Sequence, residues 1–168
     1  NDGCFRVAGL VDPKPNAEWN EGVDMFRFQA GDIGAYGDLG NVEVGVFHSW
    51  NTSRVRIASV DTTPAIVTFT GPTIFRPLAW DPEQRYYVEN ARELLDAPGE
   101  WYLDRETGVL SYWPLAGEDM RSAELIAPVL TELVRLDGDP DAGRFVDHVR
   151  LVGLSLQHAD WTLPEKGY

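Results

Sequence analysis

Six tryptophans, three alternating aspartates and a surplus of glutamate are the residues here with chemistry to offer. Trp19, Trp50, Trp80, Trp101, Trp113 and Trp161 invite stacking against sugars, whose C–H faces pack on an indole ring. Trp50, Trp101 and Trp113 sit on or beside apolar, strand-like segments, which predicts that they are mostly buried. Trp19 and Trp80 lie among loop-forming residues, which makes them the candidate substrate-binding pair. Core packing is the competing reading for all six. It is favoured even for Trp19 and Trp80, because aromatic side chains dominate the cores of β proteins.

Asp137, Asp139 and Asp141 alternate as in the opening of a calcium loop, and they are the candidate metal ligands. The match then stops. Ala142 takes the sixth position, Gly143 brings the glycine one place late, and His148 stands where the loop needs a glutamate. A solvated turn built on Asp-Gly and Asp-Pro pairs explains the same residues without a cation. No other cofactor is expected.

Hydrolysis of a glycosidic bond needs two carboxyl groups at a defined separation. With 27 acidic residues, chance pairs are certain to occur. Glu89 and Glu100 flank a short predicted helix and could face each other, although Glu100 follows a Pro-Gly turn and serves equally well as a backbone brace. His48, His148 and His158 are scattered, and Cys4 reads as a structural thiol. No Ser-His-Asp order, zinc spacing or phosphate loop is present. These residues support no catalytic assignment.

The elements that must position these groups are mostly strands. Residues 41–48 alternate, with Val42, Val44 and Val46 on one face. Residues 54–57 alternate as well, and residues 65–70 are β-branched and aromatic. Residues 100–104 and 109–113 read as a hairpin whose turn ends at Gly108. One short helix is expected at residues 91–95, capped by Asn90 with Glu93 in the capping-box position. Further strands are expected near residues 123–126 and 130–136, followed by an acidic loop at 137–143. Residues 146–156, apolar and broken by Gly153, have the texture of one coil of a parallel β-helix, which cannot bury its apolar face alone. The fold class is therefore mainly β. It is a compact sandwich or barrel-like domain with one short helix, ending in a strand that resembles a β-helix coil.

Composition closes off several classes of function. Lys and Arg number 14 against 27 Asp and Glu, a net charge of −13. Such a surface repels nucleic acid, which demands a clustered basic face, and it disfavours anionic membranes. There is no apolar run long enough to span a bilayer. The chain opens Asn-Asp-Gly without a Met or a signal-peptide pattern, as an excised piece would.

The run Tyr87-Val88-Glu89-Asn90-Ala91-Arg92-Glu93-Leu94-Leu95-Asp96-Ala97-Pro98-Gly99-Glu100-Trp101-Tyr102-Leu103-Asp104 resembles a signature of bacterial secreted β-helix proteins similar to glycoside hydrolase family 141. Those proteins carry a β-rich insertion domain. Residues 42–61 are also similar, as are Tyr112-Trp113-Pro114 with Gly117-Glu118-Asp119-Met120 and Ala127-Pro128, and residues 149–156 with Trp161 and Gly167-Tyr168. The resemblance implies an insertion domain at residues 41–145 and the start of a returning β-helix coil at 146–168; residues 1–40 stay without assigned elements, and the first thirty add nothing to the match. It implies an extracellular or periplasmic protein whose partners are the remainder of the β-helix chain and a plant or algal cell-wall polysaccharide. The family's catalytic carboxylates are expected on later coils, so none is carried onto these residues. The leading expectation is a non-catalytic domain that shapes or braces a glycan cleft. Two alternatives are a carbohydrate-binding module using a planar pair such as Trp19 and Trp80, and a ligand-free interaction domain joined to its partner through residues 149–156.

Overall fold

The computed structural model describes residues 3–14 and 16–168. Packing divides the chain into two units, Asn1–Glu118 with Leu163–Tyr168, and Asp119–Thr162. The first unit holds all the strands: β1 (Phe5–Arg6), β2 (Gly9–Leu10), β3 (Met25–Arg27), β4 (Glu43–Phe47), β5 (Thr52–Asp61), β6 (Ile66–Phe69), β7 (Arg85–Glu89), β8 (Trp101–Asp104) and β9 (Val109–Tyr112). The first seven form one sheet in the order β1-β7-β4-β5-β6-β3-β2, and β8 and β9 form a separate hairpin. Every pairing is antiparallel.

The sheet folds over itself at β5. The first half of this strand pairs with β4, and the second half, beyond a register shift between Ile57 and Ser59, pairs with β6. A bulge of this kind bends a strand and increases its twist. Three strands separate β3, which carries Phe26, from β7, which carries Tyr86, yet the two ring centroids lie 5.1 Å apart. Val44 and Val46 of β4, Val55 and Ile57 of β5, and Val67 and Phe69 of β6 fill the space between the halves and are buried. The two ends of the sheet approach at residues 7–8: Val7 donates its N–H to Gln84 O at 3.0 Å, and Ala8 donates to Arg27 O at 2.8 Å. The result is a compact β domain whose strand order remains open rather than closing into a barrel.

Residues 1–40, unreadable from sequence patterns, supply three strands and buried Phe26, Phe28 and Ile33. The segment Leu163–Tyr168 returns to the first unit and lies along β5. Arg54 and Tyr168 exchange both backbone hydrogen bonds, at 2.9 and 3.0 Å. The Arg56 guanidinium donates to Leu163 O and Pro164 O. Gly167 is required here, because its φ is +72° and a Cβ would stand 2.4 Å from Arg54 O.

Several expectations need correction. The helix at 91–95 is a single 3₁₀ turn, Arg92–Leu94, and its cap residue is Ala91. Asn90 does not cap it. It takes a left-handed φ of 60° and donates its side-chain amide to Asn41 O at 2.7 Å, tying β7 to the turn before β4. Residues 123–126, 130–136 and 146–156 form no strands. In the second unit Val149, Leu151, Val152, Leu154 and Leu156 are exposed, since no neighbouring strand is present to pair with them. Trp50, Trp101 and Trp113 are exposed as well. Trp101 and Trp113 belong to or follow a hairpin of only two strands, which has no second layer on both faces.

Gly22 lies against the backbone of residue 73, where a Cβ would stand 1.6 Å from Thr73 O. We expect Gly22→Ala to lower stability by about 1–3 kcal/mol through overpacking. Gly9→Ala, which meets nothing within 4 Å, should stay within about 0.5 kcal/mol of wild type in urea unfolding.

Candidate functional site

Antiparallel pairing brings three connections to one end of the sheet. The start of β3, the end of β6, the turn from β4 to β5 and the start of β7 all lie there. Each connection delivers an aromatic side chain. The β2–β3 connection carries Trp19, the β4–β5 turn carries Trp50, and the β6–β7 connection carries Phe75 and Trp80. Phe75 is the hub. Its ring centroid is 5.4 Å from Trp19, 5.4 Å from Trp50, 5.6 Å from Trp80 and 5.5 Å from the His48 ring. The indoles also touch one another, with Trp50 and Trp80 4.8 Å apart.

Trp19, Trp50 and Trp80 remain 46%, 64% and 40% exposed. Trp19 and Trp80 are thus brought together, but they do not form a plane, because their rings are tilted by 49° at 5.3 Å. Trp50 is the member whose apolar, strand-like neighbours predict burial. Its alternating neighbours mark the strands correctly, but the residue itself sits in the turn between them.

Backbone and side-chain hydrogen bonds hold the loops. Thr73 N–H donates to Val23 O, and Val23 N–H donates back to Thr73 Oγ1. Arg76 donates from its backbone to Trp19 O at 3.0 Å and from its guanidinium to Ala17 O at 2.6 Å. Beneath the aromatics runs a buried polar chain. Leu78 N–H donates to Gln84 Oε1 at 2.6 Å, which fixes the orientation of that amide. Gln84 Nε2 then donates to Phe47 O and to His48 Nδ1. With Nδ1 accepting, the imidazole carries its proton on Nε2, which donates to Ser53 Oγ at 2.8 Å. Ser53 Oγ also accepts from Ile74 N–H. Burial lowers the His48 pKa below its ordinary value and favours the neutral ring.

The acidic residues are engaged elsewhere. Glu43, nearly buried, accepts from Arg54 at 2.8 Å and has Arg56 at 4.0 Å and Arg105 at 3.7 Å. Arg54 also pairs with Glu89. Burial raises the Glu89 pKa, Arg54 opposes that shift, and Glu43 adds to it. Glu89 and Glu100 line the same open depression. The Glu100 carboxylate, however, accepts from Asp96 N–H and Ala97 N–H, which is the bracing role. In the second unit, Asp139 caps the 3₁₀ turn Pro140–Ala142 and pairs with Arg144 at 2.5 Å. Asp137 pairs with Arg135 at 2.7 Å. Asp141 lies in the first turn of that same 3₁₀ segment. Among the described residues, no three His, Cys, Asp or Glu side chains converge as a metal-ligand set. The described residues also contain no helix long and apolar enough to cross a membrane.

Residues 19–115 match the family described as the GH141 insertion domain. A solved structure named "Glycoside hydrolase" is similar to the chain, with a TM-score of 0.60 and 22% identity. That match covers 99% of this chain and 38% of the other, so the chain spans well under half the length of that protein. The likeness is one of fold. No curated protein matches the chain.

The His48 environment sets a pH dependence. The folded chain resists protonation of this ring, whereas the unfolded chain takes up a proton near the ordinary value of about 6.5. The unfolded state therefore binds more protons, and stability falls as pH drops through about 6.5. We expect His48→Gln to flatten that part of a stability–pH curve measured by urea unfolding. Phe75→Ala should cost about 2–4 kcal/mol and raise the fluorescence polarity of the three indoles.

Proposed function

The chain belongs to the GH141 insertion domain family, and from that premise we propose that it is a non-catalytic accessory domain of a larger glycosidase-like β-helix protein. It shapes or braces a glycan-binding cleft with the aromatic end of its sheet. The carrying observation is that indoles from three separate loops pack around Phe75 and stay substantially exposed. Exposed apolar clusters of this kind mark contact surfaces. A tilted arrangement suits a glycan chain that turns between successive rings better than a flat crystalline face.

The carboxylates support a role without catalysis. Glu43 and Glu89 are held by arginines, and Glu100 holds a turn. A general acid needs a carboxyl group that is free to deliver its proton. The partners in this reading are the remainder of the parent polypeptide and a cell-wall polysaccharide, in an extracellular or periplasmic setting. The exposed apolar residues at 149–156 fit contact with that remainder.

Affinity electrophoresis through gels containing cell-wall glycans tests the proposal. Retardation should be seen with wild type, and Trp50→Ala and Trp80→Ala should each weaken binding about tenfold, or about 1.4 kcal/mol. Unfolding midpoints should change little. An unchanged affinity in the double variant would remove the aromatic end from the contact, and hydrolysis by the isolated chain at enzymatic rates would overturn the accessory role.

A further inference from the structure

Beside Trp80 runs a groove of about 210 Å³ lined also by Phe47, His48, Asp81, Gln84 and Arg85. We propose that this groove receives an uncharged, hydroxyl-rich sugar ring, with Arg85 and Asp81 as the polar pair that reads it. The inference rests on the glycan-contact reading above and adds the class of glycan.

Four observations carry it. Arg85 is stacked, its guanidinium carbon 5.2 Å from the centre of the Phe47 ring. A guanidinium held over an aromatic face keeps its N–H edge oriented at little entropic cost. Among the described residues Arg85 makes no ion pair, although the chain carries 27 acidic residues. Asp81 uses one carboxylate oxygen to accept Glu83 N–H at 2.9 Å. Its other oxygen has no protein partner among the described residues. His48 and Gln84 are already consumed, since both imidazole nitrogens and both ends of the amide lie in the buried chain. The groove therefore offers one cation and one anion, with the neutral Ser49 hydroxyl, beside an indole.

That combination matches a sugar ring in its donors and acceptors. A hydroxyl group both donates and accepts, so one can give its proton to Asp81 while a neighbour accepts from Arg85. The ring's C–H face packs on Trp80. A uronate would satisfy Arg85, but it would also set its charge beside Asp81 on a chain of net charge −13. Charge balance favours the neutral ring.

Calorimetric titration of the full chain decides the matter. The probes are neutral xylo-, gluco- and manno-hexasaccharides and hexagalacturonate, each at low and high salt. We expect a neutral hexasaccharide to bind at least about tenfold tighter than hexagalacturonate at low salt, with an affinity that salt changes less than about twofold. Arg85→Gln and Asp81→Asn should each weaken that binding about fivefold or more without moving the unfolding midpoint. Hexagalacturonate binding as tightly, and losing affinity with salt or in Arg85→Gln, would overturn the inference while leaving the glycan-contact reading in place. Neutral binding that survives both polar substitutions but not Trp80→Ala would overturn the assignment of Arg85 and Asp81. If none of the probes binds, the glycan-contact reading fails and the inference falls with it.

Discussion

A ten-residue strand, β5, belongs to two pairings at once, with β4 through its first half and β6 through its second. The register shift between Ile57 and Ser59 bends it between them. Everything else in the first unit depends on that bend. It lets Phe26 reach Tyr86 and sandwiches the valines of β4 against Val67 and Phe69. Without it, each half-sheet would expose an apolar face that nothing else in the unit covers. The bend also leaves one side of the first half of β5 unpaired, and Leu163–Tyr168 fills that position through the Arg54–Tyr168 backbone pair. An open strand edge is a template for unwanted pairing, and this strap removes part of it.

The face of β4 opposite the core is organised by charge. Glu43 lies across from Glu89 on one neighbour and Arg56 on the other. Arg54 bridges the two carboxylates, and Arg105 approaches from the β8–β9 turn. A buried carboxylate is costly unless it is surrounded by partners. Here the partners come from β5 and from the β8–β9 turn, so the cluster acts as a registration device between the sheet and the hairpin. Gly45, two pairs further along, admits the Tyr87 ring, since any Cβ there would stand 2.2 Å from it.

The aromatic end is a consequence of topology. Antiparallel order gathers three loops, and the Gln84–His48–Ser53 chain and Arg76 hold them in place. Indoles have few rotatable bonds to immobilise, which suits the contact role proposed for this surface. The same buried chain occupies the polar atoms of His48 and Gln84, and Trp80, Asp81 and Arg85 line the groove beside it.

The sequence by itself determined the β class, strands β4, β5, β6, β8 and β9, and the turn closed by Gly108, whose φ of 71° meets the expectation. Period-two alternation and turn residues are local signals, and they were sufficient. It also carried the family signature from Tyr87 to Asp104, and the family match includes that whole stretch. The fate of the tryptophans was decided only in three dimensions. Alternation says which face of a strand a residue occupies, but it does not say whether another layer covers that face. Trp50, Trp101 and Trp113 therefore lie exposed where burial was expected. Asn90 reads as a helix cap, yet it takes a left-handed conformation to reach Asn41, a partner 49 residues away. Strands β1 to β3 and β7 have weak patterns of their own and exist because distant strands complete their hydrogen bonds. The site at Phe75 is of the same kind. Trp19, Trp50 and Trp80 lie far apart in the sequence, and the bend in β5 with the antiparallel order of the sheet makes them neighbours.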